Sequence, residues 1–390
     1  MARARELGIM IGALPSGPLD AITDVPGVRV GHTTLVRGDG PLVVGEGPVR
    51  TGVTVVVPHD GDVWTEPVFA GCHRLNGNGE LTGLEWIRES GLMGGAIGIT
   101  NTHSVGVVRD ALVAAAARRR HQDAVFWALP VVGETYDGGL NDINGFHVRP
   151  EHVDAALGAA TGGPVPEGNV GGGTGMICHE LKGGIGTASR VVAEADGGWT
   201  VGALVQANYG SRRLLRIDGV PVGEAIPVSE VPSPWTEIER RESAALGPAG
   251  RLGPGGGSII VVLATDAPLL AHQCERLAQR ASLGLARMGS IATHSSGDLF
   301  VAFATGNRGL SHTAGERDAA VTVDVRMVVD RHITPLFQAA VEATEAAIVN
   351  ALLAAETMTG RDGITAHRLD ADRLLDVMAR HGRGPRSRAG

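Results

Sequence analysis

Short runs of apolar residues, bounded by glycine, proline or polar residues, recur along the chain. Residues 51–58 (TGVTVVVP), 96–100 and 124–132 are continuous apolar runs with turn residues on each side, which is typical of buried strands. Two later runs, SIIVVLAT at 258–265 and DLFVAFAT at 298–305, have the same character. Because helical segments alternate with these runs, the pattern predicts an α/β or α+β domain built of layers.

Between the apolar runs, hydrophobic residues recur at helical spacing. The stretch after residue 107 is also rich in alanine, which favours a helix. The predicted helices are 79–90, 107–120, a helix near 266–289 with Asp266 as its N-cap and Pro268 in its first turn, and a helix from Thr334–Pro335 to near Gly360.

Three segments lack this regular pattern. Residues 229–257 carry prolines, glycines and mixed charges with little periodic apolar face, so we expect a flexible connector there. The basic, polar tail at 380–390 is predicted to be disordered. Near the start, the short apolar stretch 7–14 follows two arginines but has no clear cleavage site, and we interpret it as a first strand of a cytoplasmic protein.

Composition and charge narrow the function. With 34 basic and 42 acidic residues the formal net charge is -8, which gives no attraction for nucleic acid or an anionic membrane. The apolar runs fall short of the ~20 residues that a membrane helix needs. We therefore expect a soluble protein that binds neither nucleic acid nor membrane.

The motif search yields neither a metal nor a cofactor site. Cys72, Cys178 and Cys274 are far apart in sequence, and we expect reduced, buried thiols. The 14 histidines have no metal-ligand spacing, and HELKG lacks the second histidine of a zinc-protease motif. No GxSxG elbow occurs. The glycine run 171–175 has no following GK[ST], so it predicts tight backbone packing rather than a phosphate loop, and no cofactor or metal is expected.

Ser258 follows three glycines and opens an apolar strand, in the order GPGGG then SIIVVL. An N-terminal-nucleophile hydrolase needs a Ser, Thr or Cys that becomes the first residue of a strand after its own peptide bond is cut, because the new α-amine then serves as base for the hydroxyl. Glycine tolerates strained backbone at such a bond. The Gly257–Ser258 bond is therefore a candidate autocleavage site, and a flexible linker that runs into a strand is the alternative.

Several longer motifs, taken together and in order, resemble the β-aminopeptidase (DmpA-type) family of self-processing serine hydrolases. The resemblance spans roughly residues 15–360. The motifs that carry it are ITDVPGVRVGHT, GNGELTG, TNTHSVG, GETYDGGLNDING, GNVGGGTGM, LVQANYG, GGGS and HSSGDLF.

This resemblance implies an α+β fold of the αββα type, with two sheets between helical layers in one domain. It also implies cleavage into an α chain, 1–257, and a β chain, 258–390, that stay associated. The resemblance makes Ser258 the nucleophile. Asn208 then matches the asparagine whose amide stabilises the oxyanion, and Tyr136 matches a tyrosine that faces the same charge.

Three further residues match the family pattern. Ser296 and Asp298 match a serine and carboxylate that hold and tune the amine of Ser258, although some members carry Glu where this chain has Asp298. Glu134 resembles the acid that receives the substrate's amino group, with Asp137 as a rival. Taken without the family, these positions also suit ordinary turn, capping or packing roles.

The resemblance implies an aminopeptidase or amidase acting on short peptides, amino-acid amides or esters, assembled as a homo-oligomer, possibly a tetramer, of processed protomers. A nylon-oligomer hydrolase of the same superfamily is one alternative, although its threonine nucleophile does not match Ser258. An unprocessed, inactive homologue that serves as a binding protein is another. The state of the Gly257–Ser258 bond distinguishes this last alternative from the enzymes.

Overall fold

The computed structural model describes residues 3–120, 126–246, 255–310 and 321–384, with side chains for all of these except 242–246 and 255–256. Most strands lie in two sheets. The strands are β1 Arg29–Arg37, β2 Val49–Val57, β3 Val68–Gly77, β4 Leu92–Met93, β5 Ile97–Asn101, β6 Val131–Thr135, β7 Ile177–Cys178, β8 Leu181–Lys182, β9 Gly184–Val191, β10 Thr200–Gly210, β11 Gly255–Thr265, β12 Gly297–Ala304, β13 Met358–Thr359 and β14 Thr365–Ala366.

The helices lie between and around these strands. They are α1 Leu84–Ser90, α2 Val105–Ala117, α3 Pro150–Gly158, α4 Val222–Ala225, α5 Pro234–Leu246, α6 Ala271–Arg287, α7 Thr334–Ala354 and α8 Ala371–Arg380.

The larger sheet has six strands in the order β4-β3-β12-β11-β10-β9. Strand β11 is central, antiparallel to β10 and parallel to β12. Its residues are buried on both faces: Ile259 and Val261 belong to the core under the helices, whereas Ile260 and Val262 belong to the core between the sheets. The continuous apolar run of β11 thus follows from its two covered faces.

The smaller sheet has four strands in the order β1-β2-β5-β6 and packs on the inner face of the larger one. Its outer face is covered by α2 and α3, for example through Val108 and Val153. Helices α6 and α7 cover the outer face of the larger sheet. The order of layers is therefore helix, sheet, sheet, helix, and the predicted αββα fold is confirmed.

Helix α7 is unusually apolar. The segment Asp330–Ala354 is the one helix in the described ranges long and apolar enough to cross a membrane, but 89% of its apolar window is buried inside the protein. Residues such as Ala343 and Leu352 pack in the core beside the larger sheet. Burial in this core accounts for its apolar character.

Two local predictions near chain turns are wrong. The stretch 7–14 is not a strand: Leu14 N–H donates to the Glu342 carboxylate of α7, so side chains take over bonding that a sheet would supply. Asp266 does not cap the next helix, because its carboxylate accepts the backbone N–H of Thr200. Helix α6 begins only at Ala271.

The segment 229–257, predicted to be a flexible connector, contains helix α5, Pro234–Leu246. Trp235 and Ile238 of this helix are buried in a small core with Ile177 and Ile364. The prediction of irregular structure is therefore wrong for this part. Of the tail at 380–390, α8 ends at Arg380, and residues 385–390 lie outside the described part of the chain.

Candidate active site

Ser258 lies in the middle of the larger sheet, between two strands that reach it from different parts of the chain. It pairs with Asn208 of β10 on one side and with Gly297 of β12 on the other. Its hydroxyl oxygen accepts a hydrogen bond from the Gly297 N–H at 3.2 Å, and the residue is only 6% exposed. The sheet therefore fixes the hydroxyl in place.

Gly257, the residue before it, is held where a side chain has no room. Its φ is +154°, and a Cβ added there would lie 2.0 Å from the carbonyl oxygen of Asn208. Such a contact is far shorter than van der Waals distance. A glycine is thus required at the residue whose carbonyl group precedes Ser258.

Next to Ser258 is a cavity of about 480 Å³. Most of the residues that the sequence singles out line it: Ser258, Gly257, Asn208, Tyr136 and Glu134. The fold therefore brings together residues that lie more than a hundred positions apart in sequence. Its other lining residues are Asn78, Gly79, Glu80, Thr102, His103, Trp235 and Ser295.

One side of the cavity is built around the amide of Asn208. Its oxygen accepts the Ile177 N–H at 2.7 Å, and its nitrogen donates to the Tyr136 carbonyl oxygen at 2.9 Å. Because one partner is a donor and the other an acceptor, the amide can adopt only one orientation. We call this side, formed by Asn208, Ile177 and Tyr136, the asparagine wall.

The asparagine wall is supported from behind by a buried lysine. Lys182 is fully buried, and its ammonium donates to the carbonyl oxygens of Gly173, Met176 and Gly183 at 3.3, 2.9 and 2.7 Å. Burial lowers the pKa of Lys182 to about 7. The bonds to Gly173 and Met176 anchor the backbone immediately before Ile177.

The glycine run before this lysine packs as tightly as predicted. A Cβ on Gly172 would lie 2.1 Å from the side-chain oxygen of Gln206, and one on Gly173 would lie 2.4 Å from the backbone nitrogen of Ile185. The run therefore brings its backbone against β9 and β10 at distances that exclude any side chain. Its role here is close packing behind the site.

The opposite side of the cavity is built around the carboxylate of Glu134. One oxygen accepts the Glu80 N–H at 3.0 Å, and the other accepts the hydroxyl of Thr102. Burial raises the pKa of Glu134, and these two hydrogen bonds oppose the rise. We call this side, formed by Glu134, Thr102 and Glu80, the glutamate wall.

Asp137, the rival of Glu134, points elsewhere. It is fully buried and accepts hydrogen bonds from the side chains of Asn101 and Asn141, each at 3.0 Å. Burial raises its pKa to about 6. Because Asp137 does not line the cavity, only Glu134 of the two carboxylates is positioned to meet a ligand there.

Gly79 lies between Glu134 and the strand beside Ser258. A Cβ at this position would lie 3.0 Å from the Glu134 carboxylate and 3.4 Å from the Cα of Gly297, whose N–H contacts the Ser258 hydroxyl. The carboxylate and the nucleophile are therefore close neighbours across one glycine. Any side chain at residue 79 would fill the space between them.

Ser296 and Asp298 lie beside the cavity rather than in it. The Ser296 hydroxyl donates to the Asp298 carboxylate at 2.7 Å, and both residues are buried. Burial raises the pKa of Asp298 to about 6. The side chains of Ser296 and Asn76 oppose this rise, and the second carboxylate oxygen makes no well-formed hydrogen bond to a described group.

Asp298 also lies on a different face of the sheet from Ser258. It pairs with Ile259, whose side chain belongs to the core under the helices. Since side chains alternate along a strand, Asp298 is directed away from the cavity. A contact with the amine of Ser258 would therefore have to form at the end of the strand.

Sequence reasoning missed some of the cavity residues. Trp235 was hidden in the segment predicted to be a connector, and Thr102 lay in the motif TNTHSVG without an assigned role. His103, from the same motif, stacks on Phe146 with ring centroids 5.8 Å apart. For Thr102 and His103, the signal available in the sequence was their place in a family motif, since several of these motifs supply residues to the cavity beside Ser258.

The arrangement suits acyl transfer to a serine hydroxyl. It combines a fixed hydroxyl, a neutral amide donor and a carboxylate around one space. Among the described residues there is no group of three or more His, Cys, Asp or Glu side chains that could hold a metal ion. The three cysteines are buried and form no disulfide bond.

Comparison with known sequences identifies the family of the chain. The family model "Peptidase family S58" matches residues 20–366. The chain is 50% identical over 382 residues to "Beta-peptidyl aminopeptidase BapA" of Sphingosinicella microcystinivorans, covering 98% of this chain and 93% of that protein. It is 44% identical to the protein of the same name from Sphingosinicella xenopeptidilytica, covering 96% of this chain and 90% of that one.

Solved structures give the same result. A Burkholderia sp. β-aminopeptidase matches with a TM-score of 0.88 and 55% identity, covering 98% of this chain and 99% of that one. The L-aminopeptidase D-Ala-esterase/amidase of Ochrobactrum anthropi, described as a variant of the Ntn hydrolase fold, matches with a TM-score of 0.85 and 44% identity at the same coverage. The resemblance found in the sequence motifs is confirmed.

Proposed function

The chain belongs to peptidase family S58 and is an aminopeptidase or amidase, and on that premise we propose that it cuts its own Gly257–Ser258 bond and then uses Ser258 as nucleophile. The observation that carries the proposal is the position of the Ser258 hydroxyl. It is held by the Gly297 N–H and borders a cavity with an amide on one wall and a carboxylate on the other.

In the proposed processing step, the Ser258 oxygen attacks the carbonyl carbon of Gly257. The C–N bond breaks, the nitrogen takes the hydroxyl proton, and Gly257 is left as an ester on Ser258. Water then adds hydroxide to the acyl carbon and returns a proton to the serine oxygen. The products are a carboxylate at Gly257 and a free α-amine on Ser258.

In the proposed turnover step, that amine takes the proton from its own hydroxyl. An α-amine has an ordinary pKa of ~7.7–8.0, so a useful fraction is unprotonated near neutral pH. The oxygen attacks the substrate carbonyl carbon, the departing amine receives the proton, and an acyl-enzyme forms. Water hydrolyses this ester and regenerates Ser258.

The walls of the cavity have complementary tasks in this proposal. The Asn208 amide nitrogen has two N–H groups, one of which is bonded to Tyr136 O, so the other can donate to the oxyanion. The Tyr136 hydroxyl faces the same developing charge. Glu134 receives the substrate's free ammonium, which explains a preference for amino-terminal residues.

Ser296 and Asp298 are proposed to fix and tune the new amine at the end of β11. The buried carboxylate, with its unpaired oxygen, favours a nearby cation once the amine exists. Because Asp298 is directed to the other face of the sheet, Ser296 is the group that would bridge it to the amine.

Intact-mass analysis and N-terminal sequencing of purified, active protein test the proposal. We expect two chains, the second beginning SIIVV. Ser258→Ala should give one uncut chain without hydrolase activity, while the matched control Ser282→Ala on α6 should be cut normally. If wild-type material remains a single chain and is active, the processing step is refuted. That activity would also exclude the alternative of an inactive binding homologue.

The substrate class is proposed to be short peptides, amino-acid amides or esters with a free terminal amine. Two relatives are named β-peptidyl aminopeptidases and one structural neighbour an L-aminopeptidase D-Ala-esterase/amidase, which supports including β- and D-residues. Hydrolysis rates on L-, D- and β-aminoacyl p-nitroanilides test this range. Cleavage of nylon-type oligomers but none of these would favour the alternative hydrolase.

We also propose that processed protomers associate into a homo-oligomer, and that the protein acts in the cytoplasm. The two predicted chains already share one sheet, since β11 pairs with β10, so they stay together after cleavage. Size-exclusion chromatography with light scattering tests the assembly, and cell fractionation tests the compartment.

A further inference from the structure

Residues 321–329, which we call the arm, form an apolar segment on the outside of the molecule. Its sequence, VTVDVRMVV, places apolar side chains at every second position from Val321 to Val329. Those at 321, 323, 325, 327 and 329 are between 42% and 99% exposed. Such an apolar series on a surface indicates an interaction site.

The arm is attached to the protein through its even-numbered residues. Arg326 donates its N–H to the side-chain oxygen of Asn307, whose amide donates back to the Arg326 carbonyl, both at 2.9 Å. Val328 donates its N–H to Pro268 O at 3.3 Å and accepts from the Gln273 amide at 2.7 Å. Both backbone groups of each residue therefore point to the body of the protein.

The odd-numbered residues are different. The backbone groups of Val321, Val323, Val325 and Met327 have no hydrogen bond to any residue that the structure describes. In an extended chain, successive residues direct their backbone groups to opposite sides. Within the part of the chain that the structure describes, the arm thus has one edge attached to the protein and one edge without a partner, which can pair with a further strand.

The charges of the arm indicate which strand can pair with its open edge. Asp324 and Arg326 flank Val325 symmetrically. If two copies pair antiparallel about Val325, Asp324 lies opposite the partner's Arg326, and the same pair forms again across the two-fold axis. Arg326 gives one N–H to Gly306 O at 3.2 Å, and its guanidinium has further donors for the carboxylate.

Neighbouring registers are unfavourable. Centring the pair on Asp324 sets two carboxylates opposite each other, and centring it on Arg326 sets two guanidinium groups opposite each other; like charges directly across a pair of strands are destabilising. Of these three registers, only the one about Val325 pairs opposite charges. It also sets Val323 opposite the partner's Met327, so the apolar side chains share one face.

We propose that the arm is a self-association surface, on which a second copy of this chain adds its own arm antiparallel and centred on Val325. The contact is isologous, as in most two-fold homo-oligomers. This inference rests on the self-association in the proposed function, and not on the chemistry of Ser258. Mass in solution and hydrolysis rate are measured separately, so failure of one is distinguishable from failure of the other.

Disulfide trapping tests the register directly. In the proposed pairing, residue 325 faces its own copy, so Val325→Cys should cross-link into a dimer on mild oxidation. Residue 323 is displaced from its own copy by four residues, about 13 Å, and Val323→Cys should not cross-link. The native cysteines are buried and do not compete. Equal cross-linking at both positions, or none at 325, would overturn the pairing.

A charge-reversal cycle tests the ion pairs in the full-length protein. Asp324→Arg and Arg326→Asp each create like-charge contacts, and we expect at least a tenfold rise in the dissociation constant measured by sedimentation velocity. Combining both changes restores opposite charges and should restore association.

Leu283→Asp on α6 is the control, since Leu283 is 56% exposed yet outside the arm. A wild-type protein that is monomeric at micromolar concentration refutes the proposal. The same holds if both single reversals leave the association unchanged, or if the combined variant is no better than either one. If the arm paired with a different strand of the second copy, the protein would still self-associate, but the charge reversals at Asp324 and Arg326 would not change the dissociation constant.

Discussion

The asparagine wall and the glutamate wall border the same cavity but hold their polar groups in different ways. The Asn208 amide is fixed by two backbone groups, and the backbone beside one of them is anchored by a fully buried lysine. The Glu134 carboxylate is held by one backbone N–H and one threonine hydroxyl, and its pKa is raised by burial. One wall is neutral and rigid, and the other can change its charge.

This difference matches two kinds of charge. An oxyanion exists only in the transition state, so its donor must be oriented in advance and must not titrate. A substrate ammonium is already charged when it binds, so its partner must be an anion. Burial raises the pKa of that carboxyl group as long as no ammonium is bound beside it. We therefore expect substitutions in the two walls to change different kinetic constants.

The largest effect is expected at the asparagine wall. Asn208→Ala removes a fixed donor, and we expect kcat for hydrolysis and the rate of self-cleavage each to fall by about 10²–10³-fold. KM should change little, because the lost contact forms in the transition state. Steady-state kinetics and a time course of chain cleavage measure both. Unaltered rates would remove Asn208 from the oxyanion site.

The glutamate wall should show the opposite pattern. Glu134→Gln replaces a charge-assisted bond to the ammonium by a neutral one, and we expect KM to rise by about 10–100-fold with a smaller change in kcat. Asp137→Asn is the matched control, and should alter thermal stability rather than KM because Asp137 lies outside the cavity. A KM effect at Asp137 but not at Glu134 would reverse the assignment.

Behind the asparagine wall, Lys182→Met should have an intermediate effect. It removes the donor to three backbone carbonyls and loosens the residues before Ile177, and we expect about a tenfold loss of kcat with KM retained. Lys182→Arg, which keeps the positive charge and its donors, should recover part of kcat. A loss of folded protein without that kcat pattern, seen by thermal melting, would mean that Lys182 is only structural.

The smallest expected effect is a pH dependence carried by the glutamate wall. In the proposed mechanism Glu134 binds an ammonium only when ionised, and burial raises the pKa of Glu134 above the ordinary 4.5. As pH falls through that pKa, kcat/KM should fall, by about twofold at the pKa itself. Glu134→Gln should abolish this limb. Burial raises the pKa of Asp298 to about 6, so a limb that persists near pH 6 in that variant is assigned to Asp298 only if Asp298→Asn removes it.

The sequence revealed the parts of the fold that depend on local pattern. The run that became β11 is apolar at successive positions because both of its faces are covered, and this pattern is visible without any structure. The layer order and the cavity residues came instead from the family motifs. Spacing alone gives no reason for Asn208 and Ser258 to be paired neighbours.

Two predictions failed because the decisive contacts are distant in sequence. Asp266 resembles an N-cap, but its carboxylate bonds to Thr200 on the neighbouring strand. Helix α5 buries Trp235 and Ile238 and otherwise carries many polar residues, so its apolar stripe is too short to distinguish it from a linker. That helix places Trp235 in the cavity and packs it with Ile177, a contribution the composition concealed.

The central place of β11 in its sheet sets an order of events during biosynthesis. A fragment starting at Ser258 would carry this strand without β10, and β12 without β3, leaving two long apolar edges exposed to other chains. Making the two pieces separately therefore invites aggregation, and a single translated polypeptide must first assemble the sheet. If the Gly257–Ser258 bond is cut as proposed, the intact bond acts as an assembly tether, and its scission is a maturation event that folding has to precede.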